Sequence, residues 1–397
     1  MTFIIIHEVI IMVQLAKRLS EVEFSATLKS KEIINRFKQA GEEVLAFTLG
    51  EPDFDTPAHI VAAASQALKD GFTHYTSSLG IPELREAVAE KSKNENRIPC
   101  GPENVIILPA KFGIFTAIQA TINPGDEVIV PDPGWVSYIP MIQMAQGRPV
   151  NVRINNEDEF RMIPNNIMEA VTNKTKMIIL NSPSNPTGGL ATKEDIKGIA
   201  DIARDHDLLV LTDEIYEKII YEGEHHSTAA EEGMFERTVT VNGFSKAYAM
   251  TGWRLGWAVA PKVIFDNMLK IQQHSITSCT SFAQKGGVAA LTGSSECITQ
   301  MVNEFKERRD FVITKLNEIN GLKCFTPKGA FYVFFSFDFN MSSEELVTQI
   351  LEKGRVVLTP GSAFGPGGEG FIRMSYAASK DNLKKGLNII EEVVKTF

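Results

Sequence analysis

Cysteine is scarce in this chain, and what there is stands far apart. Four residues in 397, Cys100, Cys279, Cys297 and Cys324, form no C-x-x-C pair. That excludes a disulfide scaffold or a thiolate metal site and fits a reduced, cytoplasmic protein. The seven histidines show no H-E-x-x-H spacing, so no metal is expected. His225-His226 sits in a polar stretch and reads as solvated. Excess positive charge is lacking too, with 40 Lys and Arg facing 49 Asp and Glu for a formal charge of −9. Such a balance offers nothing to a nucleic-acid partner or an anionic membrane. No apolar run is long enough to span a bilayer. The stretches Ile4 to Ile6 and Val9 to Val13 are broken by His7-Glu8, with no basic segment ahead of them. Residues 1–13 read as a disordered or mis-called extension, with Met12 as the true start, or else as a segment docking on a partner subunit, and no export signal is seen. Repeats, low-complexity tracts and Gly/Ser linkers are also missing.

What is present is an ordinary globular composition, 44% apolar and 22% charged, in a length that implies two unequal domains. Residues 14–40 read as an amphipathic helix with polar interruptions, and helix signals follow around 58–70 and 82–96. From Val105 short apolar strands alternate with helices, the strands lying near 105–108, 127–131, 149–153, 177–181, 208–213, 238–242 and 255–260. Met177-Ile178-Ile179-Leu180 and Leu208-Leu209-Val210-Leu211 are nearly unbroken apolar runs, as in strands buried on both faces of a parallel sheet. The expected fold class is α/β, a large doubly wound, mostly parallel sheet domain with a smaller α+β domain. The latter is drawn from a helix over about 296–319, strands near 329–337, 355–358 and 371–376, and a last helix from about 380. The expected division is a segment 14–48 packing with the small domain, a large domain 49–295 and a small domain 296–397.

Ligands of such sheets bind at the carboxyl ends of the strands. Three polar clusters fall there: Asn181 to Gly188, Asp213-Glu214-Ile215-Tyr216, and Asn242-Gly243-Phe244-Ser245-Lys246. Lys246 stands among Phe244, Tyr248 and Met250. Desolvation lowers a lysine pKa, and a neutral amine attacks carbonyls to form imines. Ser245 and Arg254 supply a hydroxyl and a permanent cation suited to a phosphate. The same residues also read as a rim lysine beside a packing arginine. Asp213 closes an apolar strand, where a carboxylate is costly without a partner. A protonated pyridine nitrogen is one such partner, and a helix cap is the other reading. Arg373 alternates with apolar residues in Phe371 to Tyr376; it faces solvent or clamps a carboxylate, and spacing leaves both open.

Taken in order, these segments resemble the class I and II aminotransferases of fold type I, and the prokaryotic aspartate aminotransferase subgroup in particular. The resemblance rests on Ser245-Lys246 through Gly256, Asn185-Pro186-Thr187-Gly188 and Asp213-Glu214-Ile215-Tyr216. It also takes in Gly50-Glu51-Pro52-Asp53-Phe54, Tyr75-x4-Gly80-x2-Glu83-Leu84-Arg85, Trp135-x2-Tyr138, Gly329-Ala330-Phe331-Tyr332 and Pro360 to Gly365. It extends from about residue 14 to the C-terminus.

That resemblance implies pyridoxal 5′-phosphate as cofactor, bound to Lys246 as an imine, with Lys246 also moving the substrate proton. Asp213 would pair with the ring nitrogen, Tyr216 and Asn185 with the phenolic oxygen, and Trp135 with the ring face. Ser245, Arg254 and the backbone at Ala110-Lys111 would hold the phosphate. Tyr75 would reach the phosphate of a neighbouring subunit, making a homodimer with shared active sites. Arg373, with Gly50 and Asn185, would clamp the α-carboxylate. Ser25, Thr27 and Lys111 would receive the side-chain carboxylate of aspartate, with 2-oxoglutarate as the acceptor. Against this, Ser25 and Thr27 also read as helix caps, and Phe24, Phe112 and Phe115 leave an apolar pocket for aromatic or alanine donors open. A fold-type I lyase would use the same chemistry. One departure stands out: Pro109-Ala110 occupies a place where relatives often carry Gly-Gly or Ser-Gly, and Pro109 has no N–H to give a phosphate.

Overall fold

The unbroken apolar runs become the central strands of a seven-stranded sheet. The computed structural model describes residues 16–20, 22, 24, 34–37, 39 and 41–397. The chain passes through a two-residue strand β1 (Leu45–Ala46) and helices α1 (Ala58–Lys69) and α2 (Pro82–Asn94). The large sheet then forms from β2 (Val105–Ile107), β3 (Glu127–Asp132), β4 (Arg148–Arg153), β5 (Thr175–Asn181), β6 (Leu209–Asp213), β7 (Thr238–Gly243) and β8 (Gly256–Val259). Its order is β2-β8-β7-β6-β5-β3-β4. The five strands from β3 to β7 pair in parallel, while β8 runs antiparallel to β7 and β2. The link from β7 to β8 carries one 3-10 turn (Thr251–Trp253) and no crossover helix, so the chain returns beside the strand it left.

Between the strands lie α3 (Ala110–Thr121), α4 (Tyr138–Met144), α5 (Pro164–Ala170), α6 (Lys193–Asp205), α7 (Lys262–Gln273) and α8 (Ser281–Thr292). Successive strand residues point to opposite faces, which separates the core into layers. Met177, Ile179 and Leu211 pack with α3, α4 and α7, whereas Ile178, Leu180 and Val210 pack with α5 and α6. Helices therefore cover both faces, and the expected doubly wound sheet is what forms. In α6 the reason is local. Thr192 and Asp195 cap its start reciprocally, and Ile196, Ile199, Ala200 and Ala203 recur at helical spacing on the buried side. Each such isoleucine contributes about 1.5–3 kcal/mol by leaving water.

The remaining chain forms α9 (Glu296–Glu318), β9 (Leu322–Cys324), β10 (Tyr332–Phe337), α10 (Ser343–Gly354), β11 (Val356–Val357), β12 (Thr359–Pro360), β13 (Phe371–Ser375) and α11 (Lys380–Val394). A four-stranded antiparallel sheet has the order β12-β13-β10-β9. The strand read over 355–358 shortens to β11, which pairs in parallel with β1, and a separate strand just beyond it, β12, joins β13. The strand read near 329–337 starts only at Tyr332, because Ala330 takes a left-handed φ of 59°. Of the helix expected over 14–40, Lys17–Leu19 is a 3-10 turn and residues 34–37 are helical; the rest lies largely outside the described residues. Among the described residues no helix is long and apolar enough to cross a membrane.

Candidate active site

The ends of β5 and β6 are tied together by side chains. Asn181 sits opposite Asp213 in register, donates from Nδ2 to the Asp213 carbonyl (2.9 Å) and accepts at Oδ1 from the Asn185 N–H (2.8 Å). Lys246 follows three residues after β7. A cavity of about 270 Å³ opens over these ends. From the large sheet it gathers Asn185, Asp213, Tyr216, Ser245, Lys246 and Arg254, together with Ala110 and Lys111 at the start of α3 and Trp135 after β3. Gly50, past β1, and Arg373 on β13 close it from the side of the small sheet. Tyr75 is not in this lining; it stands 90% exposed on a loop. Ser25 and Thr27 lie outside the described residues.

Lys246 is the amine of the cavity. Burial draws its pKa down to about 8, with the nearby Glu51 and Asp213 carboxylates opposing the shift. Its Nζ donates to the Gly50 carbonyl and lies 5.9 Å from the centre of the Tyr216 ring. The Tyr216 hydroxyl pairs with that of Tyr332 at 2.8 Å.

Two buried charges face the cavity with no ion-pair partner among the described residues. The Asp213 carboxyl is pushed up to about 6 by burial, while hydrogen bonds from Tyr138 and the Ile215 N–H pull the other way. Arg373, 2% exposed, faces inward between the rings of Tyr332 (4.6 Å) and Phe364 (4.8 Å). It donates from Nη1 to Asn185 Oδ1 (2.9 Å) and from Nη2 to the Thr48 carbonyl (2.6 Å), and its Nε has no partner among the described residues. Burial lowers its pKa. Burying an ion costs several kcal/mol, so a lone carboxylate and a lone guanidinium in one cavity describe a receptor for a ligand carrying both charges.

An anion site adjoins them. In α3 the N–H groups of Ala110, Lys111 and Phe112 have no hydrogen-bond partner among the described residues, and the first bond back is from Gly113 to the Pro109 carbonyl. Pro109 occupies the position before the first helical residue, so its missing N–H leaves those three in place. Gly256 keeps this end open: a Cβ there would lie 2.7 Å from the Asn242 carbonyl and 3.0 Å from the Ala110 nitrogen. Arg254 turns toward the same end from a left-handed φ of 54°. Lys111 reaches over the Trp135 ring at 5.0 Å, and burial, with Arg254 adding to it, lowers its pKa.

Several features escape a reading of the sequence. Tyr332 and Asn181 line the cavity and Tyr138 bonds Asp213; all three fall in segments the sequence singles out, yet nothing there gives any of them a role of its own. Phe112 and Phe115, candidates for an apolar pocket, stack on each other at 5.9 Å against the sheet core and do not line the cavity. Phe24 is 91% exposed. His225 is not solvated. It is mostly buried, with Nε2 3.0 Å from Glu214 and 3.9 Å from Glu217, because the loop carrying it folds back over the start of the Asp213–Tyr216 turn. Lys91, Asn96 and Ser227 fill the remaining bonds of these two carboxylates. Burial opposes the Glu217 charge, but Lys91 and His225 bring its carboxyl down to about 2. The cluster is an internal network of ion pairs and hydrogen bonds.

Comparison with known proteins places the chain in a family. The family described as aminotransferase class I and II matches residues 42–390. An aspartate aminotransferase of Musicola paradisiaca is 40% identical over 96% of this chain and 97% of its own length. An aromatic-amino-acid aminotransferase of Thermococcus litoralis is 42% identical over 90% of this chain and 93% of its own. The solved structure of the Thermus thermophilus aspartate aminotransferase with maleate superposes with a TM-score of 0.93 at 39% identity, covering 96% of this chain and 100% of that one.

Proposed function

The chain belongs to the class I and II aminotransferases, and from that membership we propose that it uses pyridoxal 5′-phosphate to move the amino group of L-aspartate to 2-oxoglutarate, giving oxaloacetate and L-glutamate. One observation carries the reading. A lysine amine with its pKa brought down to about 8, a lone buried carboxylate and a lone buried guanidinium share one cavity beside an open helix N-terminus. The fit to the cofactor is specific in charge. Asp213 offers a counter-ion for a protonated ring nitrogen, and the α3 N–H groups with Ser245 and Arg254 offer a cradle for a phosphate. When bound, the cofactor supplies an electron sink that makes an α-carbon proton removable.

The chain's own residues do the rest. Lys246, neutral in an appreciable fraction near neutral pH, takes and returns a proton at the substrate carbon. Arg373, held in orientation by Asn185 and Thr48, binds the α-carboxylate through its fork. Trp135 would cover one face of the cofactor ring, and Tyr216 and Asn185 would bond its phenolic oxygen. For the side-chain carboxylate the candidate is Lys111, joined by Ser25 and Thr27. The dicarboxylate maleate in the Thermus relative supports this choice. The absence of Phe112 and Phe115 from the lining argues against an aromatic pocket. Tyr75, 90% exposed, is assigned to the active site of a second copy, which makes the homodimer the working unit.

The purified protein is expected to absorb in the visible, and to lose that band on addition of aspartate. Turnover of aspartate, glutamate, tyrosine and alanine against 2-oxoglutarate fixes the donor. A colourless protein that takes up no pyridoxal 5′-phosphate sinks the cofactor assignment, and aspartate turnover far below that of tyrosine or alanine sinks the donor.

A further inference from the structure

Asp213 is held from the side of α4. Tyr138, 1% exposed at the first position of α4, donates from its hydroxyl to Asp213 Oδ2 over 2.9 Å. The other oxygen, Oδ1, receives the Ile215 N–H at 3.3 Å, and the Asp213 carbonyl receives Asn181 Nδ2 at 2.9 Å. The charged groups around this carboxylate are Lys246 and, on the same turn, Glu214. Tyr138 also belongs to the segment that carries Trp135. The two rings meet edge to face at 5.1 Å and 75°, and the Tyr138 N–H closes a turn onto the Trp135 carbonyl at 3.1 Å.

We propose that Tyr138 is a positioning residue that keeps Asp213 an oriented anion, and so keeps the proton of the Asp213–cofactor pair on the ring nitrogen. The inference rests on the cofactor assignment above and deepens it. Carboxylate and ring nitrogen share one proton in that pair, and a hydrogen bond donated to the carboxylate favours its charged form. Toward an ionised carboxylate Tyr138 can only donate. Burial and the adjacent Asp213 raise its phenol pKa well above the ordinary value, so its proton stays in place. Removing the hydroxyl leaves Oδ2 in a buried site without a donor, and the shared proton then moves from the ring nitrogen to Asp213. The link through Trp135 sets the tilt of the ring's cover and the charge beneath its nitrogen from one short stretch of chain.

The test uses apoprotein and pyridoxine 5′-phosphate labelled with 15N, which has the ring nitrogen and phosphate but no aldehyde to react with Lys246. In the wild type the 15N resonance is expected at the protonated position. In Tyr138→Phe, which keeps the volume of the side chain, it should move toward the neutral pyridine position, with binding weakened about tenfold or more. In an Asp213→Asn background the same Tyr138→Phe change should leave both readouts where they were, because the cycle isolates action through Asp213. An unmoved resonance in Tyr138→Phe, or an equal loss of affinity in both backgrounds, overturns the proposal and leaves Tyr138 a packing residue. A wild-type protein that binds neither this probe nor pyridoxal 5′-phosphate overturns the cofactor assignment itself, and the proposal with it.

Discussion

Arg373, on the small antiparallel sheet, donates through Nη1 to the side-chain oxygen of Asn185, on the rim of the large parallel sheet, over 2.9 Å. With the bond between the Tyr216 and Tyr332 hydroxyls, this contact joins the two sheets inside the cavity. It orients the guanidinium without neutralising it, and it places the carboxylate receptor at the junction of the two sheets. Any movement of one sheet against the other changes what Arg373 can reach.

Arg373→Lys keeps the charge and loses the fork. We expect kcat/KM to fall about a hundredfold for every amino donor alike, consistent with about 1.5–3 kcal/mol for a charged hydrogen bond. Arg373→Met should lose more activity, yet its apoprotein should melt no lower than the wild type, since a lone buried cation is removed. Steady-state kinetics and thermal melts check both; a large fall in Tm on Arg373→Met would show that the arginine is structural.

Lys246→Ala should abolish the visible band and lower turnover by at least about a thousandfold, in the range for a lost general acid–base group. The pH dependence has a definite sign. Only the neutral amine reacts, and its pKa is about 8 in the folded protein. The rate at which apoprotein and pyridoxal 5′-phosphate develop the band should therefore climb about tenfold per pH unit in acid and level off above about 8. A plateau reached only near the ordinary lysine value would contradict the desolvated site.

Lys111→Leu separates side-chain recognition from phosphate binding. If Lys111 receives the distal carboxylate, kcat/KM for aspartate should drop about ten- to a hundredfold while alanine changes little. An equal drop for both donors, with weaker cofactor binding, would assign Lys111 to the phosphate.

The network beneath the site should show in stability. Glu217→Gln takes from Lys91 its buried partner and leaves only the half-exposed Glu95 at 3.4 Å, and breaking a buried pair costs about 3–5 kcal/mol. In the wild type folding depresses the Glu217 carboxyl to about 2. Its contribution is therefore complete above the ordinary value of 4.5 and drains away as pH falls toward 2. Urea unfolding of both apoproteins from pH 7 downward checks this: the gap between them should narrow in acid.

Much of this is legible in the residues. Unbroken apolar runs with helices between them point to a parallel sheet, and the polar clusters Asn181 to Gly188, Asp213 to Tyr216 and Asn242 to Lys246 mark its carboxyl rim. Strand periodicity is short-range, so it survives reading without coordinates. It says that Arg373 shares a face with Phe371 and Ser375, but not which face turns inward, and although Tyr332 and Tyr138 fall in segments that carry the family resemblance, nothing near them in sequence says which groups they bond. His225 reads as solvated for the same reason, since a polar neighbourhood in sequence says nothing of what folds over it.

By itself the sequence determined the order of strands and helices and the chemical kinds of group at the strand ends, because those follow from side-chain pattern within a few residues. Tertiary structure alone decided which charges were left without a counter-ion. Asp213 and Arg373 stand far apart along the chain, on different sheets, and their desolvation depends on rings and carbonyls that reach them from other strands and loops. Burial is a property of the assembled surroundings, so only the folded chain could set the lysine pKa near 8 and turn three scattered residues into one receptor.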